Sequence, residues 1–384
     1  MFTNPFSPIF GGKPEIFFGR EGILRRFDLA MTDSGSEDRA LFFTGTRGSG
    51  KTALLEQLSI RAKARQMAVF DLGPEDTVAQ FVESLSGYDG VTTTTSPQAS
   101  VSVMGFGGAL SAGSVSKTRH LGRESMQSLL LEACEKSKHG LLVTIDEVQK
   151  VPADDVSALC NAFQMASRKG NDVMLAVAGL PYARLKIIEH EGCAYLRRAS
   201  HEELGLFSWS VASQALVDAF ARIGGLSVKP ALIDKLNEAS FGHPYLLQLL
   251  GYHLVTLVNE NCAAKTHDVT KDEVDAAIST AVFAYERRAL KPLMDELPST
   301  EREYLRAMSN LLDSQRLAST EEVARALGRK QQSLSQARAR LIGSGIIAAP
   351  ERGRVMFCVP YLADYVLKED DEVDATTEAR KRRV

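Results

Sequence analysis

Residues 45 to 52 read Gly45-Thr46-Arg47-Gly48-Ser49-Gly50-Lys51-Thr52, a complete G-x-x-x-x-G-K-[ST] pattern, and no other stretch narrows the possible folds as far. The apolar run Ala40-Leu41-Phe42-Phe43 leads into it, and Ala53-Leu54-Leu55-Glu56-Gln57-Leu58 follows with helical character. A glycine-rich turn between a strand and a helix is the setting in which this pattern cradles a polyphosphate. Gly45, Gly48 and Gly50 let the backbone turn its amides inward, and the following helix adds the positive end of its dipole. Lys51 has the reach for β- and γ-phosphates, and Thr52 can place a hydroxyl on Mg2+. An α/β chain that binds a nucleoside triphosphate is the reading.

A second element completes the chemistry. Leu141-Leu142-Val143-Thr144-Ile145 is a buried-type strand that ends in Asp146-Glu147. Asp146 would hold Mg2+, and Glu147 could orient or deprotonate an attacking water. Lys51 and Glu147 are thus the catalytic candidates. No [NT]-K-x-D element is present to read guanine, so ATP is expected over GTP.

The chain is 44% hydrophobic and 24% charged, the balance of a soluble globular protein of two or three domains. No apolar stretch approaches the ~18 residues of a membrane span. Met1-Phe2-Thr3-Asn4-Pro5-Phe6 lacks the basic and apolar regions of a signal peptide. Five scattered cysteines form no CxxC pair, which points to reduced thiols and a cytoplasmic location. The net charge of −3 leaves any DNA contact to a local patch.

Strand and helix patterns alternate through the first half. Strands are predicted near 40–44, 67–72, 140–146 and 172–178, with helices near 51–66, 75–86, 121–138, 153–169 and 181–191. Residues 91–120 are rich in Thr, Ser and Gly and carry no acidic residue. Two readings stand for this insertion: a loosely structured loop, or an extruded hairpin that meets a neighbour. From Trp209 the pattern turns helical throughout, ending in a long helix from about Lys271 to Glu296.

Loop, Asp146-Glu147 pair and the upstream Phe17-Phe18-Gly19-Arg20-Glu21 together resemble the AAA+ ATPases of the origin-recognition and replication-initiator clade, their bacterial relatives and the adjoining STAND ATPases. The Asn4-Pro5-Phe6 opening is similar to that of a group of bacterial ATP-binding proteins in particular. The resemblance implies that Phe18, Gly19 and Arg20 lie beside the adenine. It implies an arginine finger at Arg197 or Arg198, ahead of the last core strand, reaching a neighbour's γ-phosphate in a homo-oligomer. The alternative is two basic residues on a solvated helix end. Phe241-Gly242-His243-Pro244 is similar to the start of the lid helix that carries sensor 2, with His243 where an arginine is usual; a helix-capping histidine is the other reading. The fourth strand ends Val177-Ala178-Gly179-Leu180-Pro181, without the Asn, Ser or Thr usual for sensor 1, so slow or partner-stimulated hydrolysis is expected.

Residues 298–367 have the rhythm of a winged helix. Thr300-Glu301-Arg302-Glu303 and Ser319-Thr320-Glu321-Glu322 read as capping boxes opening short helices. A third helix runs through Ser333, Ala337 and Leu341, and Glu351-Arg352-Gly353 turns between two strands. This stretch holds ten basic against seven acidic residues, mildly positive inside an acidic chain. Arg329, Lys330, Arg338, Arg340 and Arg352 are the DNA-contact candidates, on or beside the recognition helix and the wing. Winged helices also serve as protein-interaction modules, so a protein partner stays open.

The expected architecture is an α/β P-loop NTPase core of the AAA+/STAND type with a parallel sheet (1–208), a helical lid and linker helix (209–296), a winged helix (297–368) and a charged tail (369–384). ATP and Mg2+ would bind between core and lid, with Pro244 and His243 contributing. The expected function is an ATP-dependent switch acting on duplex DNA or on self-assembly, without a membrane. Two alternatives stand: a STAND-like signalling or defence ATPase with a protein partner, or a nucleotide-binding scaffold with little turnover.

Overall fold

The structure is a computed structural model that describes residues 1–9, 16–88, 126–262 and 264–369. The 91–120 insertion and the tail beyond residue 369 lie outside the described residues. Two compact units divide the chain. One holds Arg20–Gly45 and Gly50–Leu204; the other holds Met1–Gly19, Thr46–Ser49 and the chain from Gly205 onward.

The first unit is a five-stranded parallel sheet with helices around it. Its strands are β1 (Ala40–Thr44), β2 (Ala68–Leu72), β3 (Leu141–Ile145), β4 (Val173–Gly179) and β5 (Ser200–Glu203), in the spatial order β2-β3-β4-β1-β5. Every residue of β1, β3 and β4 is buried, which is why these segments read as unbroken apolar runs rather than as alternating ones. Helix α1 (Glu21–Ala30) precedes β1, and α2 (Lys51–Ala64), α3 (Thr77–Ser86), α4 (126–136), α5 (Ala153–Arg168), α6 (Pro181–Ile188) and α7 (Ala194–Arg197) connect the strands. One face of α2 buries Leu54, Leu55, Leu58 and Ala62 at helical spacing. Phe42, Phe81 and Phe163 belong to one apolar cluster in this unit and are fully buried. Removing such an aromatic side chain would cost about 3–5 kcal/mol. The sequence-predicted strands coincide with the first four observed ones to within a residue or so at each end.

Strand order positions the chemistry. β4 lies between β1 and β3, so the chain leaves β1 and β3 toward connections on different sides. Ligands of open parallel sheets bind outside the carboxyl ends of the strands at such a switch point. Thr44, Ile145 and Gly179 end the three strands there, and Gly45 N donates to Gly179 O at 3.3 Å, one step beyond the ladder.

The second unit is mainly helical. Helices α8 (Trp209–Ala221), α9 (Pro230–Ser240), α10 (Pro244–Asn261), α11 (Lys271–Tyr285) and α12 (Lys291–Glu296) come first, with a short parallel strand pair, β6 (Leu226–Ser227) and β7 (His267–Asp268), among them and a π-helical turn at Glu286–Leu290 between the last two helices. Residues 1–9 lie along α10: Phe2 N donates to Asn259 Oδ1, Asn4 Nδ2 to Tyr252 O and Ser7 N to Gln248 Oε1. The Phe6 ring occupies the space that a side chain at Gly251 would need.

Helix α13 (Ser299–Ser309), β8 (Leu317–Ser319), α14 (Thr320–Ala326), α15 (Ser335–Gly343), β9 (Ile347–Glu351), β10 (Arg354–Phe357) and α16 (362–369) follow. Helix, strand, two helices and a β9–β10 hairpin are the element order of a winged helix, with an antiparallel sheet ordered β8-β10-β9. Gly353 turns the hairpin with φ +80°, a conformation natural to glycine. One apolar cluster runs through this unit, from Leu246, Leu250 and Leu254 on α10 to Tyr304, Leu305 and Val355.

The predicted box at Thr300 is corrected. Helix α13 starts at Ser299 with Pro298 as its cap residue and no side-chain cap. Glu303, which would have closed the box, pairs with Arg329 at 2.9 Å instead. Ser319 does cap α14, accepting from Glu322 N, although no reciprocal glutamate bond accompanies it. A complete capping box stands at Thr270 and Glu273, at the start of α11.

Candidate nucleotide site

Gly50 caps α2 in the left-handed region (φ +90°), and Gly48 is likewise left-handed (φ +77°). A side chain at Gly48 would meet the His243 ring at 2.5 Å, so the loop there tolerates only glycine. Lys51 is buried, and its Nζ donates to Gly45 O at 2.9 Å, a contact that folds the ammonium across the loop. Thr52 Oγ1 donates to Asp146 Oδ2 at 2.5 Å, which brings the loop hydroxyl and the carboxylate after β3 together. The Ser49 hydroxyl is buried and has no hydrogen-bond partner among the described residues. Buried polar groups in native structures are nearly always satisfied. An unmet hydroxyl in a glycine-rich loop at a helix N-terminus therefore fits a bound anion.

Glu147 has left-handed backbone angles (φ 52°, ψ 39°), uncommon for a non-glycine residue and frequent at functional turns. Its carboxylate is held twice through Oε2: Gln149 Nε2 donates at 2.9 Å, and Lys150 Nζ lies 3.4 Å away. Gln149 was not a sequence candidate. Its other end, Oε1, accepts from Leu180 N at 3.1 Å, just past β4. The signal that could have found it is Gly179, whose missing side chain leaves room for the Gln149 amide.

The remaining candidates divide between the two units. Arg20 caps α1; burial pushes its guanidinium below the usual range, with Glu202 and Glu21 opposing that shift. Gly19 packs in the other unit, where a side chain would strike Phe207 and Val211. Phe18 also lies against the apolar cluster of that unit. His243 is buried at the start of α10, beside Pro244 at its first position. The His243 Nε2 sits 3.2 Å from Arg47 O, a hydrogen bond in the tautomer that carries the proton there, and its ring meets Tyr285 edge-on at 5.9 Å. Arg47 also pairs with Glu296 at 2.5 Å. Thr46 belongs to the same four-residue segment of the loop. Arg197 Nη2 donates to Ile188 O, and Arg198 is exposed.

In the C-terminal part, Lys330 and Arg352 are exposed and Arg338 is half-buried. Arg329 and Arg340 face carboxylates on α13, Glu303 and Glu301 respectively. Glu301 is only 4% exposed, so Arg340 shields a buried charge as well as presenting its own.

Residues 16–175 match the AAA ATPase domain. These residues form an AAA ATPase domain. Residues 287–366 match a second family, described as a domain of unknown function (DUF8462). The ORC2 protein of Aeropyrum pernix, solved as ADPNP-ADP complexes, superposes with a TM-score of 0.66 at 13% identity, over 98% of this chain and 99% of that one. Its ADP form gives 0.54 at 12% identity, with the same coverage. The ORC1 protein of the same organism, solved with DNA, gives 0.49 at 17% identity, over 94% and 95%. No curated protein matches the chain. The first two likenesses agree with the strand order in giving the chain the fold of these origin-recognition proteins, and an AAA ATPase domain binds nucleotide. Among the described residues, no helix is long and apolar enough to cross a membrane.

Proposed function

We propose that this chain is an ATP-dependent switch whose output is borne by its C-terminal, winged-helix part. The observation that carries the reading is the placement of Thr46–Ser49, the middle of the phosphate loop, in the same compact unit as that part. Through Arg47 these residues touch His243 at the head of α10 and Glu296 at the end of α12. A polyphosphate gathered by the loop changes the charge beside Arg47, and both contacts feel it.

ATP is the expected nucleotide, bound by Gly45 through Thr52, as the ADPNP-ADP complexes of the A. pernix ORC2 protein suggest by analogy. Thr52 and Asp146, which the hydrogen bond brings together, are the hard oxygen donors that would hold Mg2+, and the ion would supply charge neutralisation at the phosphates when bound. Lys51 serves the phosphates, and Glu147 is the general base. Arg198, exposed ahead of β5, is read as the residue a second copy would offer to a neighbour's site, and Arg197 as the alternative. Lys330, Arg352 and Arg338 contact duplex DNA, with Arg329 and Arg340 joining once released from their carboxylates.

The test is duplex binding followed by fluorescence anisotropy without nucleotide, with ADP and with ATP, across a salt series. The reading expects an affinity that depends on nucleotide and falls steeply with salt. Replacing all five basic residues by Ala should flatten the log K against log salt slope by up to about five units. An affinity indifferent to nucleotide would remove the switch. No duplex binding at ~50 mM salt, where phosphate contacts are strong, would turn the C-terminal part toward a protein partner.

A further inference from the structure

We propose that Gln149 is the positioning residue for Glu147 and takes over the place that the bare end of β4 leaves open. This inference rests on the reading of Glu147 as the base. Three observations on the first unit carry it. The Gln149 side chain is buried, only 7% exposed, and spans two strand ends. Its Nε2 donates to Glu147 Oε2 at 2.9 Å, and its Oε1 accepts from the backbone N–H of Leu180 at 3.1 Å. At Gly179 a Cβ would stand 2.7 Å from that same Oε1 and 2.8 Å from Ala183 Cβ, so the last residue of β4 cannot carry a side chain while Gln149 lies there. Glycine at the strand end and glutamine after β3 are therefore one arrangement.

The physical consequence is directional. A carboxylate acting as a base needs one oxygen aimed at a water and a rotamer that does not wander. Among the described residues, both polar contacts to the Glu147 carboxylate fall on Oε2, so the grip is on one oxygen only. Lys150 is mostly exposed and contributes a loose, hydrated contact. Gln149 is anchored at its far end by a buried backbone amide and so fixes a direction. A hydrogen bond to a charged group in a shielded site is among the stronger ones. Gln149 touches no reacting atom in this scheme; it acts through Glu147.

The experiment compares Gln149→Met, Gln149→Glu, Glu147→Gln and the double variant Glu147→Gln/Gln149→Met. Phosphate release is measured over a range of ATP concentrations, together with titration by a fluorescent ATP analogue. Methionine matches the shape and loses both hydrogen bonds. Glutamate keeps the acceptor for Leu180 N–H and loses the donor to Glu147, which separates positioning from support of the β4 end. It also serves if the methionine variant fails to fold. Both Gln149 variants should lose roughly tenfold or more in kcat, the worth of a hydrogen bond to a charged group. KM and nucleotide affinity should stay within about threefold of wild type, as expected when only transition-state positioning is lost. In the double variant, the glutamine change should add nothing to the loss already caused by Glu147→Gln, because the two residues act as a unit. Wild-type kcat in both Gln149 variants, with Glu147→Gln impaired, overturns the role of Gln149 alone. Losses that multiply in the double variant overturn it too, by showing that Gln149 supports the fold independently. Full turnover in Glu147→Gln removes the base and this inference with it.

Discussion

The two units place their polar side chains by different means. In the α/β unit, the polar groups of the candidate nucleotide site hang from the end of a buried strand or the first turn after one: Lys51 and Thr52 after β1, Asp146 and Glu147 after β3, Leu180 after β4. Parallel hydrogen-bonded register fixes those ends relative to one another. In the helical unit, the polar groups are placed by partners far along the chain: Arg340 by Glu301, Arg329 by Glu303, Arg47 by Glu296. The difference teaches where a single substitution acts. At a strand end, it removes chemistry and leaves the fold; on the helices, it alters stability and binding surface together.

The largest expected effect tests the first half of that contrast. Lys51→Ala should lower ATP-analogue affinity by more than about a hundredfold, since a charge-assisted contact to the polyphosphate is lost. Thermal unfolding should move far less than binding does. A variant that binds ATP like wild type would detach the loop from the site.

A middle-sized effect tests the second half. Arg340→Ala strands the buried Glu301 carboxylate and should cost about 1–3 kcal/mol in denaturant unfolding. Glu301→Ala leaves a half-exposed guanidinium that water can solvate, so its cost should be smaller. The same Glu301 variant should strengthen duplex binding if Arg340 then meets phosphate. Equal, small losses in both variants would make this an ordinary surface pair and blunt the comparison.

The smallest effect concerns His201 on β5, which shares a 2.8 Å hydrogen bond with Thr44 on β1. Partial burial of the ring, on a residue that is otherwise exposed, pushes this imidazole below its ordinary value; Arg184 adds to the shift, while Glu203 and Glu202 oppose it. The folded state thus prefers the neutral ring. Its contribution is intact above the unfolded value of about 6.5 and is lost as pH falls through the lower folded value. Wild-type melting temperature should decline more steeply than that of His201→Gln between about pH 6.5 and 5. Parallel curves would show that β5 tolerates the charged ring.

Legibility followed the same division. Buried parallel strands write themselves as apolar runs, so β1 to β4 were visible in order, and the loop and the Asp146-Glu147 pair stood at their ends. β5, Ser200–Glu203, is a short edge strand with polar residues and left no such run. Gln149 was invisible because its meaning lies across the sheet, in a glycine thirty residues on. The box at Thr300 failed because the helix starts earlier, at Ser299 behind Pro298, and Glu303 pairs with the distant Arg329. The extended segment 1–9 has no period to read, and its attachment to α10 depends on Asn259, Tyr252 and Gln248.

The single apolar cluster of the helical unit bears on how such chains can be recombined. Leu293 and Met294 before the winged-helix stretch and Tyr304 and Leu305 within it share that cluster. Tyr361 adds a tie by donating its hydroxyl to Ala239 O at 2.7 Å and by meeting the Phe241 ring edge-on. The family match that begins at residue 287 therefore starts inside a continuous piece of architecture rather than at a seam. A graft that exchanged only residues 287–366 between relatives would import one half of a shared interior. A cassette that kept this interior whole would begin at least as early as α9.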